Sequence, residues 1–282
     1  MWELLLIVAA AALIAGSLTD LRTREVPDWV NFAGIAAGLG LRAIESVSQT
    51  SWTPFLSGLI AFGIAWALGA SLFYLGQWGG GDSKMLMALG ALFGIEWNPF
   101  SFSISFIINL LVVGGFYGLF WMMFLGIKHF KKARKAYAQV EKQNQVKLAK
   151  VVAHISAMIA LVIALLIKGS IYWMPVLLGA PLVLFTYYLF VCLRSVEQVC
   201  FLNFIPVNAL VEGDWIVKDI KVRGEYICGK RDLGISQEQI KLLQKHGVKK
   251  VLVKSGIPFI PSFFLAFVVT LCVGNLMFAV LL

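Results

Sequence analysis

The sequence predicts an all-α polytopic membrane protein with about eight transmembrane helices and a small α+β cytoplasmic domain near the C-terminus. The 282 residues are 60% hydrophobic and only 14% charged, whereas soluble domains are roughly half apolar and about a quarter charged. The apolar residues gather into runs that approach the roughly 20 residues needed to cross hydrocarbon. Backbone groups inside lipid must be hydrogen-bonded within their own segment, so these runs are expected to be helical.

Eight apolar segments are expected to cross the membrane. They are residues 2–18, 30–47, 55–76, 84–96, 101–127, 150–168, 171–193 and 258–281. The fourth segment is short, and the Gly-rich stretch 77–83 before it is expected to be a loop that cannot join a regular helix. The chain then divides into a membrane core of five spans (1–127), a basic cytoplasmic helical segment (128–150), two further spans (151–193), a small cytoplasmic domain (194–257) and a last span (258–282).

The distribution of Lys and Arg predicts the orientation of the spans. If eight spans alternate, all but two of the 24 basic residues fall on one side, and the exceptions are Arg42 and Lys168. The positive-inside rule makes the crowded side cytoplasmic and puts both chain ends outside. One span more or fewer would place the later basic segments opposite Arg22 and Arg24, so the asymmetry favours an even number.

Two segments between the spans are expected to lie in the cytoplasm. The charges of 128–150 suit a helix whose solvated face meets anionic lipid. In the second of these segments, the domain 194–257, short strands are predicted at 215–217, 220–222 and 248–253. Ser236 and Gln239 form a capping-box pattern that opens a helix, and Gly247 ends it.

Acidic residues at the ends of spans are the candidate functional residues, because carboxylates are costly to keep at a membrane. On the expected topology Asp20, Glu25, Asp28 and Asp82 lie on the cytoplasmic side. Asp20 and Asp82 stand at one depth on different helices, as an aspartic protease requires. Carboxylates that close share a proton, so one can take a proton from water while the other polarises the peptide carbonyl.

The residues around Asp82 are expected to shape the site. Gly79 and Gly81, in the run Gly79-Gly80-Gly81-Asp82, permit close approach of backbone. Lys84 is placed either to hold Asp82 ionised or to extend to lipid headgroups, and we favour the first role.

Structural and non-enzymatic interpretations remain open beside the protease. Asp82 and Asp28 are also suited to capping the helices that follow them, and Asp20 to pairing with a nearby arginine. A transporter or channel would use Asp20 and Asp82 as cation or proton sites, although no inverted repeat is visible. An assembly scaffold would dock partners through residues 128–150.

These motifs in combination resemble the family of type IV prepilin peptidases and archaeal preflagellin peptidases, which are GxGD-type membrane aspartyl proteases. Gly79, Gly81 and Asp82 match the GxGD motif, and Asp20, Pro27 and Lys84 match the flanking pattern. Ile257-Pro258-Phe259 resembles the start of a late span in the same group. The resemblance covers about the first 95 residues and this short stretch. Proteases of the presenilin kind differ, since their first aspartate lies within a span after a tyrosine, whereas Thr19-Asp20 ends one here.

The resemblance implies removal of a short basic leader from pilin-like or archaellin-like precursors at the cytoplasmic face of the cell membrane. Glu25 and Asp28 have the sign and position to attract that leader. Besides these precursors, membrane lipids are the expected partners, and nucleic acid is not.

No metal or cofactor is expected. The three histidines are scattered along the chain, and no cysteines form a C-x-x-C pair. Many bacterial relatives carry a cytoplasmic cysteine tetrad and also methylate the new N-terminus, but Cys192, Cys200, Cys228 and Cys272 do not form such a tetrad. The sequence therefore predicts peptidase activity without methyltransferase activity, and its inserted domain looks more like that of archaeal relatives.

Overall fold

The computed structural model describes residues 1–98, 100–222 and 224–281, and it is mostly helical with a small strand-containing region near the C-terminus. The helices are α1 (Trp2–Thr23), α2 (Asp28–Ser48), α3 (Thr53–Tyr74), α4 (Gly80–Phe93), α5 (Phe102–Lys128), α6 (Phe130–Glu141), α7 (Asn144–Leu166), α8 (Trp173–Cys200), α9 (Gln237–Lys245), α10 (Ile260–Val273) and α11 (Leu276–Leu281). The strands are β1 (Leu202–Pro206), β2 (Trp215–Ile216), β3 (Ile220–Val222), β4 (Glu225–Cys228) and β5 (Lys250–Lys254). This composition confirms the coarse fold class that the sequence predicts.

Within the described ranges, five helices are long and apolar enough to cross a membrane, namely α1, α3, α5, α7 and α8. A sixth, α10, is apolar but has only 14 residues. Helices α2 and α4 coincide with the second and fourth expected spans. However, α2 contains the polar residues Asn31, Arg42 and Glu45, and α4 has 14 residues, or about 21 Å at ~1.5 Å per residue. The fold is therefore that of a multi-pass membrane protein, and the count of eight spans stays a prediction.

The expectation that 77–83 is entirely loop is wrong from Gly80 onward, where α4 begins. The physical reason is the carboxylate of Asp82 in the first turn. Its Oδ2 accepts a hydrogen bond from the backbone N–H of Gly79 at 3.0 Å, so one of the free donors at the helix start is satisfied. The cap compensates for the poor helix propensity of the glycines.

The chain forms two compact units. The first contains Met1–Phe120 and Gly256–Leu282, and the second contains Trp121–Ser255. Helices α1 to α4, most of α5, α10 and α11 thus belong to one unit, although a long insertion separates the last two from the rest in sequence.

Helix α4 is the most buried element of the first unit, because α1, α2 and α3 all pack on it. Small residues allow this close packing. A Cβ atom added at Gly38 of α2 would lie 2.8 Å from the backbone carbon of Ala91, and one at Gly90 would lie 2.7 Å from the carbonyl oxygen of Ala61 on α3. The Ser83 hydroxyl donates to the carbonyl of Gly69 at 2.9 Å. Helix α4 is therefore held in register with its neighbours on two sides.

Arg42, one of the two basic residues predicted to lie outside the cytoplasmic segments, closes the far end of α4. Its side chain is buried, and its Nη2 and Nε atoms donate to the carbonyls of Leu92 at 2.8 Å and Ala91 at 3.0 Å. The last carbonyls of a helix have no partner within it, and cations there also interact favourably with the helix dipole. Arg42 is thus a structural cap.

The segment 258–281, expected to be one span, is interrupted at Gly274, which has a φ of 75°. The fully buried Asn109 of α5 supplies hydrogen bonds to the polar groups at this interruption. Its Nδ2 donates to Thr270 at 2.9 Å and to the carbonyl of Gly274 at 2.6 Å, and its Oδ1 accepts from the N–H of Leu276 at 3.0 Å. Every polar atom of this buried amide therefore has a partner.

The second unit contains helices α6, α7 and α8 and the strand-containing domain. The region 128–150 is helical, but it breaks at 142–143, and α7 runs from Asn144 directly into the following apolar run. Helix α6 packs on α8 through Ala133, Ala136 and Val140 and exposes its basic residues.

The strand-containing domain has its own apolar core beneath a three-stranded antiparallel sheet in the order β1-β5-β2, with β3 and β4 forming a separate hairpin. Four predictions are confirmed here: a strand within 215–217, a strand at Ile220–Val222, a strand that overlaps 248–253, and the capping box. Gln239 N–H donates to the Ser236 hydroxyl at 3.3 Å, and Ser236 N–H donates to Gln239 Oε1 at 2.9 Å.

Candidate active site

Asp20 lies in the last turn of α1 and is nearly buried, with 5% of its surface exposed. Its Oδ2 accepts a hydrogen bond from the backbone N–H of Ile260 at 2.8 Å. The backbone N–H of Phe259 makes a second, weaker hydrogen bond to the same carboxylate. These amides stand at the N-terminus of α10, where free N–H groups and the helix dipole favour an anion. The carboxylate of Asp20 is therefore fixed by the start of the last apolar helix.

Asp82 lies in the first turn of α4, where its carboxylate makes the capping bond with Gly79 described above. This bond uses one carboxylate oxygen, and a carboxylate can accept several hydrogen bonds. The capping interpretation of Asp82 is thus realised in the structure, and it is compatible with a second role at the same carboxylate.

Packing between the helices brings the two aspartates together. One turn from Asp20, a Cβ added at Gly16 would lie 2.7 Å from the Met85 side chain and 3.3 Å from that of Ile260. Asp82 itself lies within electrostatic range of Asp20. Two carboxylates from separate helices therefore lie within electrostatic range of each other, and the N-terminus of α10 contacts Asp20.

The glycines before Asp82 make room for this arrangement. A Cβ at Gly81 would lie 3.3 Å from Val26, and one at Gly79 would lie 3.3 Å from the Asp82 carboxylate. Side chains at these two positions would press on the segment after α1 or on Asp82 itself. The GxGD pattern thus matches a steric need of the site.

Lys84 faces Asp28 rather than Asp82. Its Nζ lies 2.5 Å from Asp28 Oδ1 and 5.6 Å from the centroid of the Phe32 ring. The pair links α2 to α4 beside the site and is partly exposed on both sides. Glu25 is exposed and has no ion-pair partner in the described part of the chain. Of the two acids predicted to attract the leader, Asp28 is thus paired and Glu25 is not.

Metal-ligand geometry is not seen among the described residues, where no three His, Cys, Asp or Glu side chains lie together. The four cysteines are free, and they lie on α8, β4 and α10.

Comparison with known proteins matches the part of the chain that holds these residues. Residues 7–119 match the family model of the type IV leader peptidase family. This segment, called the leader peptidase segment below, is similar to that family. It contains Asp20, Asp82, both motif glycines and the Lys84–Asp28 pair.

Relatives of the leader peptidase segment include three proteins that are each named preflagellin peptidase. That of Methanococcus maripaludis is 32% identical over 125 residues, which are 42% of this chain and 54% of the relative. That of Methanocaldococcus jannaschii is 32% identical over 110 residues, 39% of this chain and 47% of the relative. That of Methanococcus voltae is 31% identical over 85 residues, 30% of this chain and 36% of the relative. The chain thus spans about half the length of the first two relatives, and no solved structure gives a significant match.

Three residues near Asp20 were not identified from the sequence. Ile260 holds Asp20 through its backbone, which no side-chain pattern reveals, although the Ile257-Pro258-Phe259 stretch pointed to this region. Tyr117 on α5 lies within electrostatic range of Asp20. Gly16 accommodates Met85 and lies one turn before Asp20, a spacing that sequence could have flagged.

Proposed function

We infer that this chain is a membrane-embedded aspartic endopeptidase that removes the short basic leader from pilin-like or archaellin-like precursors. The observation that supports the inference is the placement of Asp20 and Asp82, on two helices, within electrostatic range of each other, with each carboxylate held by a backbone N–H at a helix start. The names of the archaeal relatives support archaellin precursors as the substrate class.

The chemistry requires one water molecule for each bond cleaved. One aspartate, ionised, accepts a proton as the water oxygen bonds to the peptide carbonyl carbon. The other, protonated, donates a hydrogen bond to the carbonyl oxygen. The C–N bond then breaks as the leaving nitrogen takes up a proton from the pair. Two adjacent carboxylates suit this division, because the proximity of like charges favours one shared proton.

The finer topology is part of the proposal. Eight spans result if α2, α4 and the α10–α11 pair cross the membrane with the five longer helices. Both chain ends then lie outside, and the aspartates lie near the cytoplasmic face. The basic segment 128–150 and the domain 194–257 fall on the same cytoplasmic side, between the core (1–127), the two further spans (151–193) and the last span (258–282).

We also propose that the enzyme lacks methyltransferase activity and needs no cofactor. In support, the four cysteines are spread over three elements and do not form a tetrad like that of the bacterial relatives. A cleaved product incubated with a methyl donor is expected to keep an unmodified N-terminus by mass spectrometry. A methylated product would contradict this part of the proposal.

Recognition of the leader is assigned to Asp28 and Glu25. Glu25 is exposed and unpaired within the described ranges, so it is available to a basic leader. Asp28 is held by Lys84 at 2.5 Å, so a leader cation must compete with Lys84 for it. Exposed pairs of this kind contribute little free energy and exchange partners readily.

Asp28→Asn is expected to lower kcat/KM for a precursor with a basic leader by roughly fivefold, in line with the small worth of exposed charge pairs. The same variant should cleave a precursor whose leader lysines are replaced by glutamine at the wild-type rate. Both substrates are compared in one membrane preparation at low salt. Glu45→Gln, near the opposite end of α2, is the matched control and should change neither rate. Equal losses on both substrates would show that Asp28 acts through the fold and not on the leader.

The function itself is tested by incubating wild-type membranes with model prepilin and prearchaellin precursors and following the loss of the leader. Cleavage that depends on both aspartates is the expected result. If no class-matched precursor is cleaved, the proposal fails, and cation flux in liposomes becomes the next measurement.

A further inference from the structure

A buried amide without a partner lies on α2 close to the aspartates. Asn31 is 0% exposed, and within the described part of the chain neither its Oδ1 nor its Nδ2 has a hydrogen-bond partner. Burying an unsatisfied amide in an apolar environment is unfavourable. Asn109, equally buried on α5, satisfies both of its amide atoms. The exception at position 31 therefore calls for a ligand.

The packing of α2 on α4 fixes the depth of Asn31. Asp28 contacts Lys84, and a Cβ added at Gly34 would lie 3.0 Å from the Cβ of Ala88. Asn31 lies midway between positions 28 and 34, on the buried stripe of α2 that also contains Gly34. It therefore stands opposite the turn of α4 that follows Asp82, at the level of Met85.

A second buried polar atom without a partner occupies the same level on α1. The hydroxyl of Ser17 is buried and has no hydrogen-bond partner among the described residues. Ser17 follows Gly16, whose missing side chain accommodates Met85, and it precedes Asp20 by one helical turn. Unsatisfied polar side chains on α1 and α2 thus both lie near the level of Met85, which packs on Gly16 and follows Asp82 by three positions.

We propose that Ser17 and Asn31 form a binding site for internal water that supplies the water consumed at Asp20 and Asp82. The ligand is small because Asn31 is completely enclosed, which excludes a peptide. It is polar because the unpartnered atoms of Ser17 and Asn31 include a hydrogen-bond donor and an acceptor. Buried waters typically make two to four hydrogen bonds. Water must reach these carboxylates inside an apolar bundle, and a bound molecule one turn away meets that need. This role rests on the proposed function, whereas the presence of the water does not.

X-ray radiolytic footprinting tests the presence of water without any substrate. Met85 is 0% exposed, so radicals in bulk solvent cannot reach it, whereas ionisation of a bound water beside it oxidises its sulfur. Wild-type protein is expected to show Met85 sulfoxide, and the Ser17→Ala, Asn31→Leu double variant is expected to lose most of it. Tyr226, 40% exposed in the strand-containing domain, should be labelled equally in both proteins. An unlabelled Met85 in wild type, or equal labelling in the variant, would overturn the water site.

Kinetics test the role of the water. Asn31→Leu is expected to lower kcat roughly tenfold and to leave KM unchanged. A tenfold loss corresponds to about one hydrogen bond to the reacting water. Its thermal stability should be kept, because leucine fills the space without a polar group to satisfy. Asn109→Leu is the matched contrast and should lose stability, since it leaves the α10–α11 interruption without partners. A wild-type kcat in Asn31→Leu would exclude the supply role. If wild type cleaves no precursor, the proposed function fails, while the labelling of Met85 still decides whether water is bound.

Discussion

Asp20→Asn and Asp82→Asn are each expected to lower precursor cleavage by roughly 10³-fold or more, the scale of lost acid–base catalysis. Asparagine keeps the size of the side chain and an oxygen that can accept the N–H of Ile260 or of Gly79. It cannot take up a proton from water or share one with the remaining aspartate. The loss should therefore fall on the chemical step and not on folding.

The measurement is the rate of leader removal by each variant in membranes, with insertion and thermal stability followed on the same samples. Glu3→Gln, in the first turn of α1 at the end opposite Asp20, is the matched control and should cleave at the wild-type rate. Turnover like that of wild type in either aspartate variant would remove that residue from the site. Cation flux in liposomes that is lost in both variants would instead favour the transport interpretation.

The double variant gives a sharper test of a shared mechanism. If the two carboxylates act as one unit, losing both costs little more than losing either, because residues of a catalytic unit are strongly non-additive. Rate losses that multiply would show that Asp20 and Asp82 act independently.

Gly38→Ala is expected to destabilise the membrane core by ~1–3 kcal/mol, the usual cost of overpacking. The new Cβ would lie 2.8 Å from the backbone carbon of Ala91 and 2.9 Å from the nitrogen of Leu92, so α2 and α4 must separate. Arg42 caps α4 from the same helix, so a displacement of α2 also disturbs that cap. The variant should unfold at a lower temperature in the same detergent.

Gly40→Ala is the matched control on the same helix, because nothing lies within 4 Å of a Cβ at that position. Alanine is a better helix former than glycine by roughly 1 kcal/mol, so this variant should be as stable as wild type or more stable. Equal melting temperatures for the two alanine variants would show that α2 and α4 do not pack as closely at Gly38 as the structure has them.

What the sequence could predict of this fold was carried by local patterns. Apolar runs of membrane length located the long helices, because lipid imposes helix on any such run. Ser236 and Gln239 located the start of α9, because a capping box needs only residues three apart. Strands β1 and β4 were missed. Strand β1 begins at Leu202, directly after the long helix α8 and without a turn signal. It pairs with β5 across 44 to 52 positions of sequence, from Pro206↔Lys250 to Leu202↔Lys254.

The candidate site shows the same division. Asp20 and Asp82 were predicted from their motifs. The contact of the Ile260 amide with Asp20 could not be predicted in this way, because it joins residues 240 positions apart in sequence. The pairing of Lys84 with Asp28 was also missed, since proximity in sequence favoured Asp82. Asn31 gave no signal, because a single polar residue in an apolar run does not show whether it has a partner.

The contact between Ile260 and Asp20 sets an order of events during synthesis. The ribosome adds roughly 5–20 residues per second, so the 240 positions between these residues take on the order of tens of seconds to translate. During that time α1 and α4 can already be inserted, but the carboxylate of Asp20 lacks the amide that holds it. The site is completed only when α10, the start of the last apolar segment, has entered the bundle. A nascent chain truncated anywhere between Asp82 and Phe259 therefore carries both aspartates without a finished site.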